Sequence, residues 1–136
     1  MKGNISIYMC YKENSVFLKE ENRDGYIVSA LMKKVWAVEL DLLSELDRVC
    51  KKYNIKYYAA FGTLLGAVRN KGFIPWDDDI DVCMLRDDYA KFKEVAKNEF
   101  GGKYYYQDWY NSCGRTWIFS KLRNSETTAI EYPEKP

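Results

Sequence analysis

The stretch Phe61-Gly62-Thr63-Leu64-Leu65-Gly66-Ala67-Val68-Arg69-Asn70-Lys71-Gly72-Phe73-Ile74-Pro75-Trp76-Asp77-Asp78-Asp79-Ile80-Asp81-Val82 carries more chemistry than the rest of the chain together. It opens on a Gly-Thr step and closes on an acid-apolar-acid run. Gly62 permits a tight turn from a strand into a helix, and Thr63 can cap a short helix over 64–70. The free N–H groups of its first turn, with the Thr63 hydroxyl, offer an anion site at the positive end of the helix dipole. Gly66 inside the helix costs ~1 kcal/mol relative to Ala, which points to something packed closely against that turn. Asn70-Lys71-Gly72 reads as a turn, and Pro75 pushes Ile74 toward extended or turn backbone.

Beyond the turn, 79–85 reads as a strand. Alternation then puts Asp79 and Asp81 on one face and Ile80, Val82 and Met84 on the other, with the two acids about two residue rises, ~6.5 Å, apart. Paired carboxylates at that spacing can share one divalent cation. Hard oxygen donors suit Mg²⁺ or Mn²⁺, and magnesium completes its octahedron with water and substrate phosphates. A bare D-x-D also occurs in hydrated acidic loops; the apolar flanks favour the metal reading. An EF-hand is excluded, because Val82 stands where the loop needs Gly and Asp88 where it needs a bidentate Glu. Arg69 and Lys71 lie between the two elements and could neutralise phosphate charge. Glu131, in the run Ile130-Glu131-Tyr132, is the candidate third carboxylate. Trp76, next to Asp77, reads either as a core residue or as a wall for a bound cation.

Working outward, Ser29 offers an N-cap, and Leu31, Val35, Val38, Leu42, Leu46, Val49 and Tyr53 recur at helical spacing up to a stop at Asn54. Lys33, Lys34, Glu39, Glu45, Asp47 and Lys51 fall on the other face and read as solvated. Residues 55–61 read as a buried strand. Asp87 caps a helix whose Tyr89, Phe92, Val95 and Ala96 face a core, and 103–107, 116–123 and 127–132 read as strands, with Lys121 and Arg123 flanking Leu122. Residues 1–28 show no clear period and read as an extended or irregular extension. The whole is mixed α and β in one domain, 1–136.

Composition narrows the chemistry. The chain has no histidine, which removes Ser-His-Asp and Cys-His catalysis and H-E-x-x-H zinc sites. Lys and Arg number 21 against 20 Asp and Glu, a net charge of +1 that gives no general reason to expect nucleic acid as a partner. Cys10, Cys50, Cys83 and Cys113 show no C-x-x-C spacing and read as reduced thiols. No stretch reaches the ~20 apolar residues of a membrane span and no signal-peptide core is present, so the expected location is cytoplasmic, or peripheral at the inner face of the membrane.

The stretch 61–82 closely resembles the signature of the LicD family of phosphorylcholine transferases, which includes the fukutin-like proteins. The resemblance extends to Arg23-Asp24-Gly25-Tyr26 upstream and to Leu122-Arg123-Asn124-Ser125-Glu126-Thr127-Thr128-Ala129-Ile130 downstream. It implies a nucleotidyltransferase-like fold, with helices packed on a small mixed β-sheet. Gly62 and Thr63 match its phosphate-side motif and Asp79 and Asp81 its metal ligands. The implied activity is metal-dependent transfer of phosphocholine, or a similar phospho-substituent, from a CDP-choline-like donor to a sugar hydroxyl. The acceptor would be a cell-surface glycan or lipid-linked sugar of lipopolysaccharide or teichoic-acid type. The family often has His where Asn70 stands, and its members usually continue well beyond Pro136, so the C-terminal part of the family domain is expected to be missing. Two other readings remain at this point: a non-catalytic nucleotide-binding or regulatory module of the same fold, and a D-x-D glycosyltransferase using a nucleotide sugar.

Overall fold

The computed structural model describes residues 16–111 and 119–127. Along them run strands β1 (Glu21–Arg23) and β2 (Tyr26–Val28), helix α1 (Ala30–Lys52), strand β3 (Tyr58–Ala59) and helix α2 (Phe61–Arg69). Strand β4 (Val82–Cys83), helix α3 (Arg86–Glu99) and strands β5 (Tyr104–Gln107) and β6 (Lys121–Asn124) follow. The class is mixed α+β, as expected. Instead of one mixed sheet, the described strands form three separate antiparallel pairs, β1-β2, β3-β4 and β5-β6. The chain groups into two units, Met1–Phe92 and Lys93–Pro136.

In the first unit, α1 begins where Ser29 predicts. The Ser29 Oγ accepts the Met32 N–H at 3.1 Å. Its other end is closed by a left-handed residue. Asn54 takes φ +52, its N–H donates to the Lys51 carbonyl and the Ile55 N–H donates to the Cys50 carbonyl at 2.8 Å, the paired bonds of a Schellman motif. The buried side chains of α1 are Lys33, Trp36, Asp41, Leu42, Leu46, Val49 and Cys50. The C-terminal half of the predicted stripe is therefore right, but at the N-terminal end Leu31 is 72% exposed and Trp36 is fully buried. Lys33, expected in solvent, is buried against Glu21, 3.2 Å away, with its ammonium over the rings of Phe17 and Trp36. Cys50 and Cys83 are free thiols, and burial, followed by the charges of Asp47 and Asp88, pushes Cys50 up to about 11. Cys10 and Cys113 lie outside the described residues.

Both central strands are shorter than their sequence suggests. The β3-β4 ladder has two pairs, Tyr58↔Cys83 and Ala59↔Val82, so the predicted strands over 55–61 and 79–85 shrink to their middles. Residues 79–81 are irregular because the Asp81 N–H leaves the ladder for a side-chain acceptor, the Thr63 hydroxyl. Helix α2 starts earlier than expected. Its N-cap is Ala60, which makes no side-chain cap bond, so Thr63 lies inside the first turn and does not cap it. The left-handed residue at this junction is Phe61, at φ +44, and not Gly62.

Gly66 is the buried residue of α2, while Phe61, Leu64, Leu65 and Val68 are exposed. A Cβ on Gly66 would lie 2.5 Å from the Gly72 carbonyl oxygen and 3.0 Å from the Ile74 nitrogen, both backbone atoms. The close packing read from the sequence is thus the 72–74 segment folding back on the helix, held by the Gly72 N–H donating to the Gly66 carbonyl. Gly66→Ala is expected to destabilise the chain by about 1–3 kcal/mol, because the clash is with main chain that cannot rotate away. A shift in urea midpoint is the measurement, and an unchanged midpoint contradicts it.

Helix α3 begins at Arg86, one residue before the expected Asp87 cap, with Asp87 and Asp88 in its first turn where the helix dipole favours them. Phe92 and Ala96 are buried, whereas Tyr89 is 37% exposed. In the second unit, β5 and β6 pair from Tyr104↔Asn124 to Gln107↔Lys121, with Tyr106 buried beside Phe100. The Asp108 carboxylate accepts the Tyr110 and Asn111 N–H groups and closes the turn after β5. Of the expected strand 116–123, the described residues show β6; the expected strand 127–132, with Glu131, has only Thr127 described, and that residue lies outside any strand.

Candidate active site

The acidic loop after Trp76 is fixed through its main chain. The Asp77 N–H donates to the Ile74 carbonyl at 3.0 Å, closing a turn with Pro75 at its second position, and the Asp77 carbonyl accepts the Trp36 indole N–H at 2.7 Å. At the other end the Asp81 carbonyl accepts the Ala60 N–H at 3.0 Å, and the Asp81 N–H donates to the Thr63 Oγ1 at 2.8 Å. The loop is therefore tied both to α1 and to the first turn of α2. Gly62 completes the junction: a Cβ there would lie 2.5 Å from Asp77 Oδ2, so its value is the close approach of a carboxylate to the helix start.

The side chains converge as well. Asp77, Asp78 and Asp79 each offer a carboxylate oxygen, all within 4.8 Å of one another, a grouping that could hold a metal ion. Asp79 was expected in such a set. Asp81 is not one of these three, and the alternation that paired it with Asp79 loses its basis once β4 is seen to begin at Val82. Burial, and then the charges of Asp78 and Asp81, hold the Asp77 carboxyl above its usual range.

A fourth carboxylate, on α1, lies close enough to feel them. Glu39, assigned from sequence to the solvated face, is instead largely buried and influenced by the acidic loop. Burial, then Asp79, then Asp78, raise its pKa to about 7, opposed by a hydrogen bond from the Ile80 backbone. The signal was present: at about 100° per residue, Glu39 falls between Trp36 and Leu42 on the helical wheel, inside the buried arc. Choosing the stripe through Leu31 and Val35 rotated that arc away from it.

Other expected site residues lie elsewhere. Arg69 and Lys71 are exposed at the C-terminal end of α2, bonded to the Asn70 side chain and the Val68 carbonyl. Arg69 lies six positions after Thr63, or ~9 Å along the axis. The structure does not bring them to the helix start. Lys121 and Arg123 belong to β6 in the second unit, and Glu131 lies outside the described residues.

Glu39 gives a pH prediction for the metal-free chain. Its folded pKa is raised above the ordinary carboxylate value, so it binds more protons folded than unfolded between roughly pH 4.5 and 7. Stability from this group is complete below that window and is lost as pH rises through about 7. In EDTA, moving from pH 5 to pH 8 is expected to cost on the order of 2 kcal/mol after allowance for solvent screening, and Glu39→Gln should flatten the profile. Urea midpoints across pH are the measurement; parallel profiles for both proteins refute it.

Residues 54–133 match the family described as LicD/FKTN/FKRP, nucleotidyltransferase domain. The chain belongs to this family. The matched region holds both the acidic loop and α2, whereas Glu39 lies upstream of it. A lipopolysaccharide cholinephosphotransferase LicD of Haemophilus influenzae is 54% identical over 56 residues, covering 41% of this chain and 21% of that protein. An uncharacterized protein of Rickettsia prowazekii is 34% identical over 119 residues, 86% of this chain and 44% of its own length. The chain thus spans less than half of either relative. No solved structure matches it. No helix among the described residues is long and apolar enough to cross a membrane.

Proposed function

We propose that this chain forms the donor-binding part of a nucleotidyltransferase-like enzyme. The reaction is metal-dependent transfer of phosphocholine, or a close phospho-substituent, from a CDP-linked donor to a sugar hydroxyl of a lipopolysaccharide-type glycan. The observation that carries the reading is the meeting of clustered carboxylates with the first turn of α2, inside the region that matches the family. Similarity to the Haemophilus cholinephosphotransferase supports the head group and acceptor class.

The residues present fit a hard divalent cation. Asp77, Asp78 and Asp79 provide oxygen donors within 4.8 Å of one another, and burial, followed by the charges of Asp79 and Asp78, pushes nearby Glu39 toward its neutral form. Asp79 and Asp81 would hold Mg²⁺ or Mn²⁺. Asp79 is supported by the cluster, and Asp81 by its place in the acid-apolar-acid run of the family pattern. Such a cation, when bound, neutralises the donor diphosphate and polarises the phosphorus under attack.

The chain's own groups supply the rest. Thr63 accepts from Asp81 and keeps its O–H to donate to a phosphate oxygen, alongside the N–H groups that open α2. In the transfer, the sugar oxygen bonds to the choline-bearing phosphorus, the bond from that phosphorus to the bridging oxygen breaks, and CMP leaves with the electron pair. The hydroxyl proton passes to a carboxylate of the acidic loop. Placement of charge accounts for most of the catalysis in such transfers.

The test is a donor panel of CDP-choline, CDP and UDP-sugars, with binding by calorimetry and CMP release read with and without EDTA. Magnesium-dependent binding of CDP-choline with CMP release is the expected result. Binding without release supports the non-catalytic module, and preference for UDP-sugars supports the glycosyltransferase reading.

A further inference from the structure

Trp76 and Tyr26 stand out as large aromatic side chains left in solvent beside the acidic loop. Trp76 is 60% exposed and Tyr26 42%, with ring centroids 5.6 Å apart and planes at 64°. They come from distant segments, β2 and the turn before Asp77, and both segments are firmly placed. The turn holds Trp76 between Pro75, which is fully buried, and Asp77, whose amide and carbonyl are both bonded. The β1-β2 hairpin is tied to the same region by Arg23, which reaches toward the Phe73 carbonyl and lies over the Trp36 ring. The Trp36 ring stacks on Phe73 at 4.7 Å. Buried structure thus preorganises two rings that are themselves open.

An exposed pair of this kind gains little for folding, since much of its apolar surface stays wet. Its surroundings suit a particular ligand. The rings offer negative π faces, the carboxylates of Asp77, Asp78 and Asp79 begin at the next residue, and among the described residues no basic side chain lies over Trp76 or Tyr26. A primary ammonium or a metal ion would be drawn to the carboxylates, where it can be hydrogen-bonded or coordinated. A quaternary ammonium has no N–H to donate, spreads its charge over methyl groups and binds best against aromatic faces.

We infer that Trp76 and Tyr26 form the receiving wall for a quaternary ammonium head group, the trimethylammonium end of the donor. The inference rests on the proposed CDP-linked donor and deepens it. In choline phosphate the nitrogen lies two carbons and one oxygen from phosphorus, so a diphosphate held at the acidic loop carries its head group to the neighbouring residues. The rings then determine which phospho-substituent is accepted, and the carboxylates act on the phosphates common to all donors.

The experiment compares affinities for CDP-choline, CDP-ethanolamine and CDP by calorimetry with Mg²⁺, in the wild-type chain and in Trp76→Ala, Trp76→Phe and Tyr26→Ala. The wild-type chain should prefer CDP-choline over CDP-ethanolamine by about 3- to 30-fold. Trp76→Ala and Tyr26→Ala should each reduce that ratio to within about twofold of unity, and Trp76→Phe should keep part of it. Two alanine variants on separate segments guard against misfolding of one. If CDP and CDP-choline bind equally, or the preference survives both alanine variants, the aromatic wall is refuted while the transferase reading stands. If none of the cytidine ligands binds, the donor reading itself fails and the inference with it.

Discussion

Trp36→Ala is expected to lower the stability of the chain by about 3–5 kcal/mol, the largest effect of any single side-chain truncation in the first unit. Trp36 is fully buried, stacked on Phe73 with planes only 6° apart, and covered by two cations, Arg23 and Lys33, each 5.0 Å from its ring. Truncation leaves a cavity between α1 and the 72–74 segment and removes the aromatic face that lets Lys33 remain buried. It also releases the Asp77 carbonyl, which the indole N–H binds at 2.7 Å. Trp36→Phe separates these effects. It keeps most of the packing and should cost about 1–2 kcal/mol, the value of the lost hydrogen bond and an unmet carbonyl. Far-UV circular dichroism during urea unfolding measures both. A loss under 1 kcal/mol for the alanine variant would mean that the stack and the cations contribute little to holding the loop.

How much of this could be read from the chain alone depends on how local the cause is. The ends of α1 were legible because Ser29 and Asn54 act on their own neighbours, through an N-cap bond and a left-handed C-terminal residue. Gly66 was legible for a related reason, since a glycine inside a helix needs a packing partner, although its identity, the 72–74 backbone, was not. Strand extent was not legible. Whether Asp79 to Asp81 join a ladder depends on a partner 18 residues away, and the Thr63 hydroxyl takes the amide that a strand would have used.

Gly62 and Glu39 show two further limits. Gly62 was expected to supply backbone freedom, but the left-handed φ falls on Phe61, and what Gly62 supplies is room for the Asp77 carboxylate. Glu39 was placed in solvent because Leu42, Leu46 and Val49 fit two rotational frames of the same helix. Only the frame containing Trp36 is buried at the N-terminal end, and it carries Glu39 toward the acids. A charged residue within a buried arc is informative, but periodicity alone does not say which arc is buried.

Asp79→Asn is expected to reduce magnesium-dependent CMP release by roughly 100-fold or more and to weaken Mn²⁺ binding in parallel. Asp79 belongs both to the three-carboxylate cluster and to the acid-apolar-acid pair of the family pattern. The substitution is nearly isosteric and Asp79 is exposed, so the fold should survive, and removing one charge should let Glu39 titrate closer to its ordinary range. Stability at pH 8 in EDTA should therefore rise while function falls, a pairing that general damage to the fold cannot produce. Asp81→Asn tests the second ligand. Its backbone bonds to Ala60 and Thr63 are independent of its side-chain charge, so a loss comparable to that of Asp79→Asn would assign its carboxylate to the metal. A small effect at Asp81 with a large one at Asp77→Asn would instead place the cation on the contiguous acids. Near-normal activity in both Asp79→Asn and Asp81→Asn would contradict metal-dependent transfer at this loop.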